Sequence, residues 1–182
     1  DLVMTDALTT SCDQANLALG RLDSAVETLP HPELFTAMYV RREAVLSSQI
    51  EGTQASLDDL VAVEARLRGE KAVGDVNEVL NYTAALRHGI ERLDALPVSG
   101  RLMREIHAIL MRNVRGGHAT PGEFRTTQNW IGAAGAGLSD AVFVPPPPEE
   151  VAAHIGELER FLHGDSRLSM IIQIGLAHAQ FE

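Results

Sequence analysis

The sequence predicts an all-α helical bundle with a short β-hairpin set into one long loop. Apolar residues recur at helical spacing along nearly the whole chain. Residues that open helices, chiefly serine, aspartate and proline, stand just ahead of these apolar runs. One interval breaks the pattern: 118–148 gathers glycines, the only tryptophan and four consecutive prolines.

The first expected helix covers 6–29, with Leu17, Leu22, Val26 and Leu29 spaced for one face. Pro30-His31-Pro32 breaks it, and Pro32 suits the first position of a second helix over about 32–51. Leu34, Phe35, Met38, Val45 and Ile50 are its expected buried positions, and Gly52 supplies the stop just past its end. Ser56 reads as an N-cap followed by an acidic first turn, Asp58 and Asp59, and by Leu60, Val61, Val63 and Leu67. Arg66 and Arg68 before Gly69 complement the negative end of that helix. Asp75, with Glu78 three residues on, opens the next helix, expected to reach about Leu93. Ser99 caps another, through Leu102, Ile106, Ile109 and Leu110 to Gly116-Gly117.

The interval 118–148 is expected to be an ordered loop, because loops of such length in compact domains are usually functional or disordered and this one carries apolar residues. Val142, Phe143 and Val144 are expected to form one strand of its hairpin, which the prolines 145–148 end for want of an N–H. Helices resume at Glu149, with Val151, Ile155, Leu158 and Phe161 on one face and Gly164 as the stop. The last begins near Ser166 or Arg167 and is apolar on most sides (Met170, Ile171, Ile172, Ile174, Leu176), the pattern of a core helix.

Bulk properties exclude several function classes. The formal net charge of −10 argues against a basic nucleic-acid surface or an anionic-membrane surface in this region. No apolar run is long enough for a membrane span. A lone cysteine, Cys12, permits no intrachain disulfide and fits a reducing, cytoplasmic compartment. His178 and Glu182 have a spacing that can hold a metal, but no third ligand is evident and no metal site is expected; His178 reads as a satisfied core histidine. His107 and His154 carry no signal, Trp130 reads as core, and Arg125 reads as a structural arginine tying the loop to a carboxylate or to carbonyls.

The most informative stretch is Ser47-Ser48-Gln49-Ile50-Glu51-Gly52. Ser47 and Glu51 are four apart and share a helix face. Glu51 stands in the last turn, where the helix dipole disfavours an anion by roughly 0.3–1 kcal/mol. Arg41 and Arg42 lie more than two turns back, so a neutralising cation has to come from elsewhere in the fold; the competing reading is a carboxylate solvated at a helix end.

The run from Glu33-Leu34-Phe35 through Glu43-Ala44-Val45-Leu46-Ser47-Ser48-Gln49-Ile50-Glu51-Gly52-Thr53 resembles the N-terminal segment of Fic (Fido) family proteins, and its core resembles their inhibitory motif. Later segments, making two further blocks, resemble the family in the same order. They are Pro121-Gly122-Glu123-Phe124-Arg125 with Gln128-Asn129-Trp130-Ile131-Gly132, then Phe143-Val144-Pro145-Pro146, then Ala177-His178-Ala179-Gln180-Phe181-Glu182. The resemblance implies a Fic-type bundle, with 1–70 as the N-terminal region and 71–182 as the first part of the core, its flap at about 138–148. It implies a protein adenylyltransferase using ATP and Mg2+ to place AMP on a target-protein hydroxyl. Ser47, Glu51 and Gly52 would be the inhibitory element, and Val142, Phe143 and Val144 the edge where the target docks; a homodimer is a further implied partner. The family's catalytic motif, His-Pro-Phe followed by Gly-Asn-Gly-Arg, is not present in these residues and is expected just after Glu182, so these residues alone should be inactive. Two other readings remain: a non-catalytic helical interaction module, and a regulator acting through a C-terminal DNA-binding domain that this chain does not contain.

Overall fold

The computed structural model describes residues 3–50, 52–66, 75–114, 120–133, 135 and 137–181, with the side chains of 63–66 left aside. Seven α-helices run among them: α1 (Asp6–Glu27), α2 (Pro32–Ile50), α3 (Leu57–Arg66), α4 (Asp75–Arg92), α5 (Gly100–Leu110), α6 (Pro148–His163) and α7 (Met170–Phe181). The all-α expectation holds. No described helix is long and apolar enough to cross a membrane.

Local chemistry accounts for most helix boundaries. Thr5 caps α1 by accepting the Leu8 N–H at 3.2 Å. At α3 the cap is reciprocal: Asp59 N–H donates to Ser56 Oγ (3.1 Å), while the Ser56 hydroxyl and N–H both donate to the Asp59 carboxylate. Those donors, the hydroxyl foremost, hold the Asp59 carboxyl below its ordinary value. Ser99 caps α5, and the Gly100 N–H donates to Glu159 of α6, which sets an anion at a helix N-terminus. Pro148 opens α6 at a position where a missing N–H costs nothing.

Two ends fall short of expectation. α5 stops at Leu110 rather than near Gly116. Asn113 is left-handed (φ 55°), and Asn81 Nδ2 takes the Leu110 and Arg112 carbonyls at 3.0 and 2.7 Å, satisfying the helix end from α4. α7 starts at Met170, several residues late, because the Ser166 hydroxyl accepts the Leu168 N–H and holds that segment as a turn. The expectations on Leu67, Arg68 and Gly69 fall outside the described residues.

The core sits where α2 and α3 meet α4: Ala44, Val45, Ala55, Leu60 and Val79 form one buried cluster, flanked by Val76, Leu80 and Tyr82. On its other side α4 packs against α5. Gly89 lies at that contact, where an added Cβ would come within 2.8 Å of Ile106 Cδ1 and the Ile106 side chain would have to shift. Beside it Glu105 accepts from Arg92 Nε (2.9 Å) and Arg101 Nε (3.1 Å), with His88 Nε2 at 3.4 Å. α6 follows on α5, and α7 rests on α6 and α1. Gln173 of α7 donates to the Phe161 and Leu162 carbonyls at the end of α6.

Several predicted core positions prove exposed. On α2 only Ala44, Val45 and Ser48 are buried, while Leu34, Phe35, Met38 and Ile50 lie in the open. Leu34 and Met38 do share the face of Val45, but the described residues cover only the second half of that helix. No residue of α1 is buried, and Leu17 and Leu22 face outward. α7, read as a core helix, buries only Ile172; Met170 and Ile174 are 75% and 59% exposed. Among the described residues the expected β-hairpin does not form. In its place one antiparallel bridge joins Ile131 to Phe143, preceded by a 3-10 turn, Leu138–Asp140. The physical reason is the proline run: beyond Val144 the chain has acceptors but no N–H for a ladder.

Leu60 is fully buried, so Leu60→Ala should destabilise the fold by about 2–5 kcal/mol, read from urea unfolding. The Arg92 guanidinium, with Arg101 and His88, holds the Glu105 carboxyl down to about 2 from the usual 4.5. A lowered carboxyl contributes stability that is fully present above its unfolded value and disappears as pH falls from 4.5 toward 2. Acid unfolding of Glu105→Gln should therefore lose part of the pH dependence in that window, and an unchanged acid profile would contradict the assignment.

Candidate functional site

The α2 end is closed by a glycine. Gly52 adopts φ +91°, its N–H donates to the Gln49 carbonyl (3.0 Å), and the Thr53 N–H reaches back to the Ser48 carbonyl (3.1 Å). This paired pattern is the Schellman helix stop, which needs a left-handed residue and so favours glycine. The turn that follows is pinned from three sides. Gln49 Nε2 donates to the Ala55 carbonyl (3.0 Å), the Gln54 N–H donates to the Asp75 carboxylate (2.6 Å), and Thr53 and Ala55 are buried. Asp75, expected as a cap, thereby ties the α2–α3 turn to the start of α4. Ser47 donates to Glu43 Oε1 at 2.8 Å, one turn back along α2. Glu51 itself lies outside the described residues, as does Glu182.

The long loop is built outward from α5. Thr120-Pro121-Gly122-Glu123 is a type II turn, closed by the Glu123 N–H on the Thr120 carbonyl at 3.1 Å, with proline and left-handed glycine in the two central places that this turn favours. Arg104 Nε donates to the Gly122 carbonyl (2.7 Å) and its Nη2 pairs with Glu123. The Arg104 guanidinium also lies 5.7 Å from the Phe124 ring centre. The Gly122 N–H donates to His107 Nδ1 at 2.9 Å, which places the proton of a neutral His107 on Nε2. Farther on, Arg125 donates to the carbonyls of Thr127 and Pro146, the carbonyl option foreseen for it. Gln128 Nε2 donates to the Pro145 carbonyl at 3.0 Å.

Between α5, this loop, α6 and the end of α7 lies a cavity of about 710 Å3. Its walls include Met103, Phe124, Phe143, Ile155, Leu158 and Phe181, with Arg104, His107, Arg125 and His154 as polar members. His154 stands between two carboxylates of its own helix, Glu150 and Glu157, each at 3.5 Å. A second, more open depression runs along α1, and its described lining residues, Asp13, Leu17 and Arg21 among them, all belong to that helix.

The predicted site residues thus fall into two groups. Phe143 lines the cavity, with Val142 and Val144 beside it on an open edge, Val142 being 85% exposed. Ser47 and Gly52 belong to the α2–α3–α4 side, and no described residue near them lines the cavity. Trp130, expected in the core, is 40% exposed, and His178 is exposed rather than buried. No three His, Cys, Asp or Glu side chains converge on a metal site among the described residues. Sequence reasoning missed Arg104 and His107, whose partners are backbone groups of a turn far along the chain. The Pro121-Gly122 pair was the one local signal for that turn.

Residues 9–91 match the family model described as Fic/DOC family N-terminal, and residues 97–182 match the one described as Fic/DOC family.

Gly52 and Gly122 are both left-handed but differ in room: a Cβ on Gly52 meets nothing, while one on Gly122 would lie 3.1 Å from the Arg104 carbonyl oxygen. Gly52→Ala should cost about 1–2 kcal/mol from backbone conformation alone. Gly122→Ala should cost more, and the comparison of the two urea midpoints checks the ranking.

Proposed function

The chain belongs to the Fic/DOC family, and from that premise we propose that it forms the front part of a protein adenylyltransferase that is restrained by Glu51. The family generally transfers nucleotidyl or other groups to proteins. In the proposed reaction a hydroxyl oxygen of the target protein bonds to the α-phosphorus of ATP, pyrophosphate leaves, and a base takes the hydroxyl proton. The described residues bring no three His, Cys, Asp or Glu side chains together, and the 182 residues contain no His-Pro-Phe or Gly-Asn-Gly-Arg run. The reading therefore assigns ATP, Mg2+ and the proton-accepting histidine to that motif, following Glu182.

This chain's own residues take two roles in the reading. Val142, Phe143 and Val144 offer an open edge to which a target segment adds by main-chain hydrogen bonds. Glu51, flanked by Ser47 and Gly52, pairs with an arginine of the motif and so competes with the ATP γ-phosphate for that cation. The observation that carries the restraint is the firmness of the α2 end. The Gly52 stop, the Gln49–Ala55 bond and the Gln54–Asp75 bond fix the residues on the far side of Glu51, and helix α2 fixes those before it.

In the complete protein, Glu51→Gly should raise incorporation of AMP from α-labelled ATP by about tenfold or more, equivalent to about 1.4 kcal/mol or more of released barrier. Equal incorporation and equal ATP affinity in the two proteins would remove the restraint from the reading. No incorporation by either, with the motif present, would remove the adenylyltransferase itself.

A further inference from the structure

The exposed edge at 142–144 has almost no backbone support. A single bridge to Ile131 holds it: the Ile131 N–H donates to the Phe143 carbonyl (2.9 Å), and the Val142 and Phe143 N–H groups both donate to the Ile131 carbonyl (2.7 and 3.2 Å). The next residues are prolines, which accept hydrogen bonds but donate none, so the ladder cannot lengthen past Val144. That stretch can be fastened only through its carbonyls, and two described side chains of the opposite arm donate to them: Arg125 to the Pro146 carbonyl and Gln128 to the Pro145 carbonyl. Arg125 reaches Thr127 with its other terminal nitrogen (3.3 Å), so one planar fork joins both arms.

Arg125 is itself anchored. Three residues before it, the turn carbonyl of Gly122 accepts from Arg104 and the turn N–H donates to His107, both on α5. A continuous set of contacts therefore runs from a rigid helix, through the turn and Arg125, to Pro146 and the edge.

We propose that Arg125 is a positioning residue for target docking: acting through Pro146, it holds residues 142–144 in the register at which a target segment adds to their edge. The proposal rests on the reading that this edge receives the target. Arg125 need not touch the target or the nucleotide. Its removal should weaken docking without altering the chemistry that follows.

The test uses the complete protein with Arg125→Gln and Arg125→Lys, and two measurements. In Arg125→Gln, hydrogen exchange at the Ile131, Val142 and Phe143 amides should quicken while the amides of α5 and α6 keep their wild-type rates. Steady-state modification of the target should show KM raised about tenfold with kcat within about twofold, the pattern of lost ground-state positioning. Arg125→Lys keeps the charge but lacks the fork, and should recover only part of the KM, to within about threefold of wild type. Unchanged exchange at the three amides, or a fall in kcat at constant KM with general loss of helix protection, overturns the proposal. Quickened exchange with unchanged KM overturns it as well, since the edge would then need no bracing. If wild type transfers no AMP, the reading of the site fails and this role fails with it; if wild type is active and Arg125→Gln behaves identically, Arg125 alone is misassigned.

Discussion

The rest of the structure hangs from the packing of α4, which is built differently on its two sides. Toward α2 and α3 it presents Val79, fully buried among Ala44, Val45, Ala55 and Leu60. That side is apolar, and its contribution scales with the area removed from water. Toward α5 it presents Gly89, Asn81, His88 and Arg92. Here the contact is a glycine facing the Ile106 side chain, and the stabilisation is directional: a carboxylate held by two guanidinium groups, and an amide that closes the end of α5. The first side fixes the turn after Gly52. The second fixes the helix from which the long loop is suspended. Both proposed functional elements are therefore referred to the same central helix, although they lie in different parts of the chain.

The long loop shows how a segment without regular structure is held in place. Its prolines cannot donate to a ladder, and a buried or half-buried backbone still has to satisfy its polar groups. The solution is side-chain donors facing carbonyls. Arg104 serves Gly122, Arg125 serves Thr127 and Pro146, and Gln128 serves Pro145. His107 supplies the one acceptor in the opposite sense, for the Gly122 N–H. Proline carbonyls are good acceptors that no neighbouring strand competes for, so arginine and glutamine suit the facing arm. The same arrangement leaves the outer side of Val142 to Val144 open.

Much of this was legible from residue order. The caps at Ser56 and Ser99, the glycine stop at Gly52 and the helix-opening Pro32 of α2 act within four or five residues, and each is readable from local pattern. Burial was less legible. Leu34 and Met38 carry the right spacing, and α7 is apolar all round, but periodicity states which face is apolar and not whether anything covers it. The hairpin failed for a related reason. The apolar triplet at 142–144 is strand-like, but pairing depends on what the opposite arm offers, and among the described residues only Ile131 pairs, with Gly132 next to it and prolines following Val144 on its own arm.

The sequence by itself determined the all-α class, the order of the helices and the family, because helix periodicity, caps and motif spacing are short-range properties written in consecutive residues. Only the tertiary structure decided which apolar faces are covered, that the loop closes through a single bridge, and that Arg104, His107 and Arg125 join α5 to the edge at Phe143. Those contacts link residues some 15 to 21 positions apart. Their partners are backbone carbonyls and amides, which every residue type possesses, so no pattern of side chains announces them until the chain has folded.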